Sequence, residues 1–273
     1  MTGSRRDDDR SSARTLTTLR RATRIVELLR DSRGATVPEI SDALGVSTSS
    51  TYNYVTTLYE DGWLVKEGST YHLSLKFFRL GAYVRTSSTL FETARPEVDG
   101  LADRTGDTAH LSTEHNNREV HLYKAHGPEA VGDEYHRSKL HTSTHLHNTA
   151  TGKAILAVLP RAEVERIVER DGLPERTGKT ITDPERLFAE LETVAERGYA
   201  INDEEEIEGL RAVGAPIRDQ DGAVVGSISV SGPTSRLDGD RFRRDLPELV
   251  VQAANVVEVN LNMEYRLSEG EGA

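Results

Sequence analysis

The chain of 273 residues has no cysteine, which excludes disulfides, thiolate nucleophiles and thiolate-bound zinc together. It also lacks any apolar run near the roughly 18 residues that a membrane-spanning helix requires. Its Arg- and Asp-rich start is unlike a secretory signal. A soluble, cytoplasmic protein with no membrane partner is the expectation. Serine, histidine and aspartate are plentiful, but no Gly-x-Ser-x-Gly elbow presents a nucleophile. No catalytic residue is assigned on this basis. At 36 % hydrophobic residues the chain can still bury a real core, in one large domain or two modest ones.

Lysine is scarce as well: only six of the 34 basic residues are Lys. With 45 acidic residues and a net charge of −11, the composition resembles that of proteins from halophilic archaea. At ~1 M salt the Debye length falls to ~3 Å, and attraction to phosphates then contributes little. The charge is unevenly placed. Residues 1–85 hold 13 Lys and Arg against 10 Asp and Glu, a net of +3, and the remainder carries −14. A basic head on an acidic body fits a DNA-reading module joined to something else.

Residues 38–73 carry the most telling local pattern. Pro38 suits a first helical turn, and Gly45 can end a short helix at positive φ. Ser47 is then placed to cap a second helix, Thr48 to about Glu60. Two β-rich runs, 63–66 and 70–73, flank Glu67-Gly68-Ser69. Helix, tight turn, helix and hairpin outline a winged helix-turn-helix over residues 14–74. The second helix of that motif enters the major groove of double-stranded DNA.

On this second helix Thr51, Val55 and Leu58 share one face and should pack inward, beside Tyr54. Thr48, Ser49, Ser50, Tyr52, Asn53, Thr56 and Thr57 point elsewhere, and none is charged. Asn53 can pair with adenine N6 and N7, while Ser and Thr hydroxyls reach base edges or phosphates. An ordinary solvated face is the plainer alternative; the place between a turn and a hairpin favours DNA. An earlier helix, about residues 15–30, shows an apolar stripe of Leu19, Ala22, Val26 and Leu29. Arg20, Arg21 and Arg24 leave that stripe and are candidates for phosphate contact.

Ser74 should cap a linker helix within residues 75–90, whose Leu75, Phe78 and Ala82 are spaced as in a dimer helix. Another helix, about 90–104, should be interrupted by Pro96 and Gly100. The polar run 86–89 marks the domain boundary. Beyond Asp107 strands are expected at 108–114 and 118–125, around a His115-Asn116-Asn117 turn, with a weaker one at 135–138. Helices follow at 149–159, 161–170 and 183–197. Further strands are expected at 199–202, 211–218 and 223–231, and a last helix at about 240–266. The fold class is α+β, with an antiparallel-sheet sensor domain over 91–266 and disordered ends at 1–13 and 267–273.

Three features imitate other chemistries. Gly172 to Thr180 resembles a phosphate-binding P-loop, but five residues separate its glycines where the motif has four, and it follows a helix. Eight of nine histidines fall between His110 and His147. His141, His145 and His147 could converge on a transition metal, yet no recognised ligand spacing accompanies them. No metal and no cofactor is expected. The acidic run Asp203-Glu204-Glu205-Glu206 reads as a solvated loop.

Three segments, in this order, resemble the IclR family of transcriptional regulators. They are residues 45–80, the stretch Leu146-His147-Asn148-Thr149-Ala150-Thr151-Gly152-Lys153-Ala154, and a block from Arg197-Gly198-Tyr199 through Gly209-Leu210-Arg211 to Ser229-Val230-Ser231-Gly232-Pro233. The resemblance runs from about residue 15 to 265. It implies a winged helix-turn-helix, a linker helix and a GAF-like effector domain, in a homodimer or homotetramer. It also implies an effector site lined by Thr149, Ala150, Thr151 and Gly152, with Asn202, Ala212, Ser229 and Ser231. Backbone N–H groups at a helix start and serine hydroxyls suit an anionic or sugar-derived metabolite. Ser227, Ser229 and Ser231 share one strand face because side chains alternate. Two places depart from the family pattern. Ala212 stands where relatives often have Cys, and Thr48 and Asn53 where Lys or Arg is usual. A GAF-like metabolite sensor, a metal-binding protein or an enzyme acting on the small molecule are the alternatives.

Overall fold

The computed structural model describes residues 15–131 and 144–270. It folds as two compact units that divide between Val84 and Arg85. The first unit is built from α1 (Thr17–Ser32), β1 (Ala35–Thr36), α2 (Val37–Leu44), α3 (Thr48–Glu60), β2 (Leu64–Glu67) and β3 (Thr70–Leu73). Caps set these boundaries. The Glu39 carboxylate accepts both the backbone N–H and the hydroxyl of Thr36 at 2.7 Å, a capping box that starts α2. Gly45, at φ 63°, ends α2, and Ser47 Oγ accepts the Ser50 N–H at 3.3 Å to begin α3. The strands pair antiparallel in the order β1-β3-β2.

Ile25, Leu29, Ile40, Val55, Leu64 and Tyr71 form the core of this unit. The expected stripe on α1 is corrected here. Ile25 and Leu29 are buried, whereas Leu19 is 62 % exposed. Apolar neighbours such as Ile25-Val26 and Leu28-Leu29 permit two helix faces, and packing against the other helices selects one. After β3, Ser74 Oγ accepts the Lys76 N–H at 3.2 Å and donates to the Gly62 carbonyl at 2.7 Å. There α4 (Leu75–Thr86) begins; Leu75 and Phe78 are exposed on it.

The second unit is organised by a five-stranded antiparallel sheet in the order β5-β4-β8-β7-β6. Its strands are β4 (Thr108–His115), β5 (Arg118–His126), β6 (Ala200–Asp203), β7 (Leu210–Arg218) and β8 (Val224–Pro233). Asn116 and Asn117 both take positive φ, 54° and 65°, which a tight β4–β5 turn requires. One sheet face, including Leu111, Val213, Ile228 and Val230, packs on α5 (Thr89–Thr105) and α9 (Leu246–Gly270). The expected break in α5 does not occur; it runs unbroken through Pro96. Leu90, Ala94, Val98 and Leu101 bury its apolar face, which offsets the backbone bond that Pro96 removes. A π-helical turn, Arg241–Asp245, precedes α9, which continues to Gly270 and so includes residues 268–270, expected to be disordered.

The other sheet face is polar. In β4 and β8 the partners His110 and Ser229, and Ser112 and Ser227, lie opposite one another. A bulge at Leu111/Ser112 rephases β5, so that His121 also pairs with Ser112. This face is covered by α6 (Ala150–Leu156), which follows a 3₁₀ turn at Leu146–Asn148. The helix is shorter than the expected 149–159, with Thr149 as its cap. Backbone approaches backbone here: a Cβ on Gly214 would lie 2.8 Å from the Ala150 carbonyl. Two further helices, α7 (Arg161–Asp171) and α8 (Pro184–Arg197), close an apolar cluster with Leu146, Ile155 and Leu156. The strand expected at 135–138 and the termini 1–13 and 271–273 lie outside the described residues.

Candidate functional site

The second helix of the first unit, α3, turns two chemically different faces. Thr51 and Val55 are buried, with Tyr54 and Leu58 packed beside them. Ser49, Asn53 and Thr57 are exposed, and Tyr52 is 56 % exposed. Thr48 is also exposed, while Ser50 is half-buried and tied to Ser47 through both its N–H and its hydroxyl. Thr56 is half-buried. On α1, Arg20 and Arg24 are exposed. Arg21 instead donates to the Tyr54 hydroxyl at 3.1 Å, so it braces α1 on α3. The outward face of α3 therefore offers hydroxyls, one carboxamide and one phenol, with no cation.

In the second unit a pocket enclosing about 360 Å³ opens between the polar sheet face, the start of α6 and the loop after β6. Thr149, Ala150, Thr151, Asn202, Ala212, Ser229 and Ser231 line it. Gly152 does not; its N–H is donated to Thr149 Oγ1 at 2.9 Å, and its Cα packs against Leu146. At seven residues, α6 is also too short for much of a macrodipole, so side chains dominate the chemistry. Asn202 is fully engaged: its amide nitrogen donates to the Asn148 carbonyl and its oxygen accepts the Glu205 N–H, each at 2.9 Å.

The wall also contains residues that the sequence reading had not placed there. His110 and His121 line it, their ring centres 5.8 Å apart. His110 Nε2 is 2.7 Å from Ser231 Oγ, and His121 Nδ1 is 2.8 Å from Ser112 Oγ. Glu206, Ile207, Leu210 and Arg211 complete the rim. Behind the wall Glu119, wholly buried, accepts the hydroxyl hydrogens of Thr144, Thr149 and Thr151. The alternation of His and Ser along 108–112 was a usable signal for this face; nothing local marked Glu119.

The acidic run is not the solvated loop expected. Glu205 and Glu206 are both buried, because the loop folds back over α6. Lys153 Nζ donates to Glu205 Oε1 at 2.5 Å. Burial pushes the Glu205 carboxyl above its ordinary range, with Lys153 opposing that shift. The P-loop imitation has a structural role: Thr177 and Thr180 hydroxyls donate to the Glu204 and Glu205 carbonyls at 2.7 and 2.6 Å. His141 lies outside the described residues. His145 and His147 stack edge to face at 5.7 Å, and burial holds the His147 imidazole down at about 4. Among the described residues no three His, Asp or Glu side chains converge as a metal site, and no helix is long and apolar enough to cross a membrane.

Comparison with known proteins joins these two units to one family. Residues 18–68 match the IclR helix-turn-helix domain, and residues 82–259 match the bacterial transcriptional regulator IclR C-terminal domain. A relative in Halobacterium salinarum, described as "Probable HTH-type transcriptional regulator ArcR", is 38 % identical over 91 % of this chain and 95 % of its own. The crystal structure of the Thermotoga maritima IclR superposes with a TM-score of 0.71 at 28 % identity, covering 91 % of this chain and all of that one. An IclR homolog from Microbacterium hydrocarbonoxydans, complexed with 4-hydroxybenzoate, shares the fold at a TM-score of 0.76 and 21 % identity, over 90 % of this chain and all of that one. The family is one of transcriptional regulators and not of enzymes. The chain belongs to the IclR family, as a DNA-binding regulator with a ligand-binding C-terminal domain.

Proposed function

We propose that this regulator reads a promoter operator with the uncharged face of α3, as a homodimer or homotetramer. Thr48, Ser49, Ser50, Tyr52, Asn53 and Thr56 face the bases, and Arg20 and Arg24 contact phosphates. A small metabolite, anionic or sugar-derived, occupies the pocket bounded by Thr149, Ala150, Thr151, Asn202, Ala212, Ser229 and Ser231, with Gly152 behind them. One observation carries this reading: residues spread from 110 to 231 converge on a single cavity enclosed by a polar sheet face. That the homolog named above was complexed with 4-hydroxybenzoate supports small ligands as the fold's cargo.

Binding would bias the arrangement of paired DNA-reading heads only if the ligand prefers one arrangement, typically by about 1–3 kcal/mol. Such a regulator works where the DNA is, in the cytoplasm. The test is a mobility-shift assay on the DNA upstream of the gene and its neighbours, with and without central metabolites. A specific shift altered by one metabolite is expected. Binding to no upstream fragment would remove the operator reading, and indifference to every metabolite would remove the effector.

A further inference from the structure

The chemistry required at the α6 end of the pocket follows from the buried Glu119, and this inference rests on reading that pocket as the effector site. Glu119 Oε2 accepts the hydroxyl of Thr149 at 2.5 Å and that of Thr144 at 3.2 Å, while Oε1 accepts the hydroxyl of Thr151. A threonine hydroxyl has one hydrogen and two lone pairs. Thr149 gives its hydrogen to Glu119 and one lone pair to the Gly152 N–H. Thr151 gives its hydrogen to the same carboxylate. Both residues line the pocket. Their hydroxyls can therefore offer a ligand only lone pairs.

The rest of the wall sharpens this imbalance. Glu206 adds a carboxylate, which accepts and does not donate when ionised. Arg211 is already bound by Asp203 at 2.6 Å and Asp238 at 3.1 Å. A carboxylate oxygen set against Thr149 and Thr151 would meet lone pairs, with the Glu119 charge directly behind them. Such a group is left without hydrogen bonds, and the like charge disfavours it further.

We propose that the pocket selects ligands bringing hydroxyl or ammonium hydrogens to Thr149 and Thr151, and that it rejects a bare carboxylate there, because Glu119 holds both threonine hydrogens away from the ligand. Glu119 is thus a positioning residue that sets specificity without touching the effector. Sites built to pair a ligand's hydrogen-bonding groups discriminate steeply against analogues lacking them.

Calorimetric titration of the full chain with two matched pairs tests this: gluconate against adipate, and 5-aminovalerate against glutarate. The first pair exchanges hydroxyls for a carboxylate, the second an ammonium, so the arms separate the two sources of hydrogen. At least one donor-bearing probe should bind more than about tenfold tighter than its partner. In Glu119→Gln the amide can donate to one threonine and free that hydroxyl's hydrogen, so the gap should shrink by about tenfold. Should that variant fail to fold, Thr151→Val should weaken the donor-bearing probe and Thr151→Ser should restore it. Equal binding within both pairs, binding of neither donor-bearing probe, or an unchanged gap in folded Glu119→Gln would overturn the proposal. Probes that bind in the expected order but leave operator affinity untouched would sink the effector reading and leave this one standing. Release of operator by adipate or glutarate alone would do the reverse.

Discussion

Lys153 Nζ lies 2.5 Å from Glu205 Oε1, with both side chains buried, and this pair ties α6 to the loop that forms the opposite rim of the pocket. Glu190 approaches the same ammonium at 3.6 Å. In a chain with so few lysines, one of them is placed at the least solvated position beside the pocket.

Breaking that pair from one side should be costly. Lys153→Met leaves the Glu205 carboxylate buried without its partner, and a loss of about 3–5 kcal/mol is expected in urea denaturation. The double variant Lys153→Met/Glu205→Leu should recover most of the loss, since it strands no charge. A single-variant loss under about 1 kcal/mol would mean that water or Glu205 protonation replaces the ammonium.

Base readout is assigned to Asn53. Asn53→Ala should relax preference at one operator position by about 1–3 kcal/mol while keeping general affinity. Binding measured across all single-base operator variants decides it. A profile identical to the parent's would show that Asn53 reads nothing.

Salt dependence should be shallow. Each phosphate contact contributes about 0.9 to the slope of log K against log salt, so Arg20 and Arg24 from two heads give about −4. A slope near −10, as for heavily basic repressors, would mean that cations outside these four contacts carry the binding.

Ser229→Ala should change the response to effector and leave operator affinity as it is. Ser229 belongs to the sheet face of the second unit, far along the chain from α3. A variant that still releases operator at the parent's metabolite concentration would remove Ser229 from the effector contacts.

His147 should make stability pH-dependent. Burial disfavours its imidazolium, so the folded chain titrates at about 4 and the unfolded chain at the ordinary 6.5. The unfolded state therefore takes the proton first, and stability present above pH 6.5 is lost as pH falls toward 4. Melting temperature should drop between pH 7 and 5, and less so in His147→Gln, whose amide can still donate to the Pro174 carbonyl that Nε2 now reaches at 3.2 Å. Parallel slopes in the two proteins would exonerate His147.

What could be read from residues alone was local or periodic. Gly45, Ser47 and the hairpin after α3 announced the DNA-reading unit, because caps, positive φ and turn chemistry act within a few residues. The alternation of Ser227, Ser229 and Ser231 announced a polar strand face for the same reason. Family likeness then brought Thr149, Thr151, Asn202 and Ala212 to the wall where they stand. Periodicity misjudged α1, whose adjacent apolar pairs allow two faces, and proline chemistry misjudged α5, whose buried face outweighs one missing bond. Glu119 and its threonines, 30 and 32 residues apart, could be joined only by folding, as could Lys153 and Glu205 at 52. A backbone can announce its own turns, but which hydroxyl gives its hydrogen to which carboxylate depends on contacts that exist only once the sheet and α6 have closed on each other.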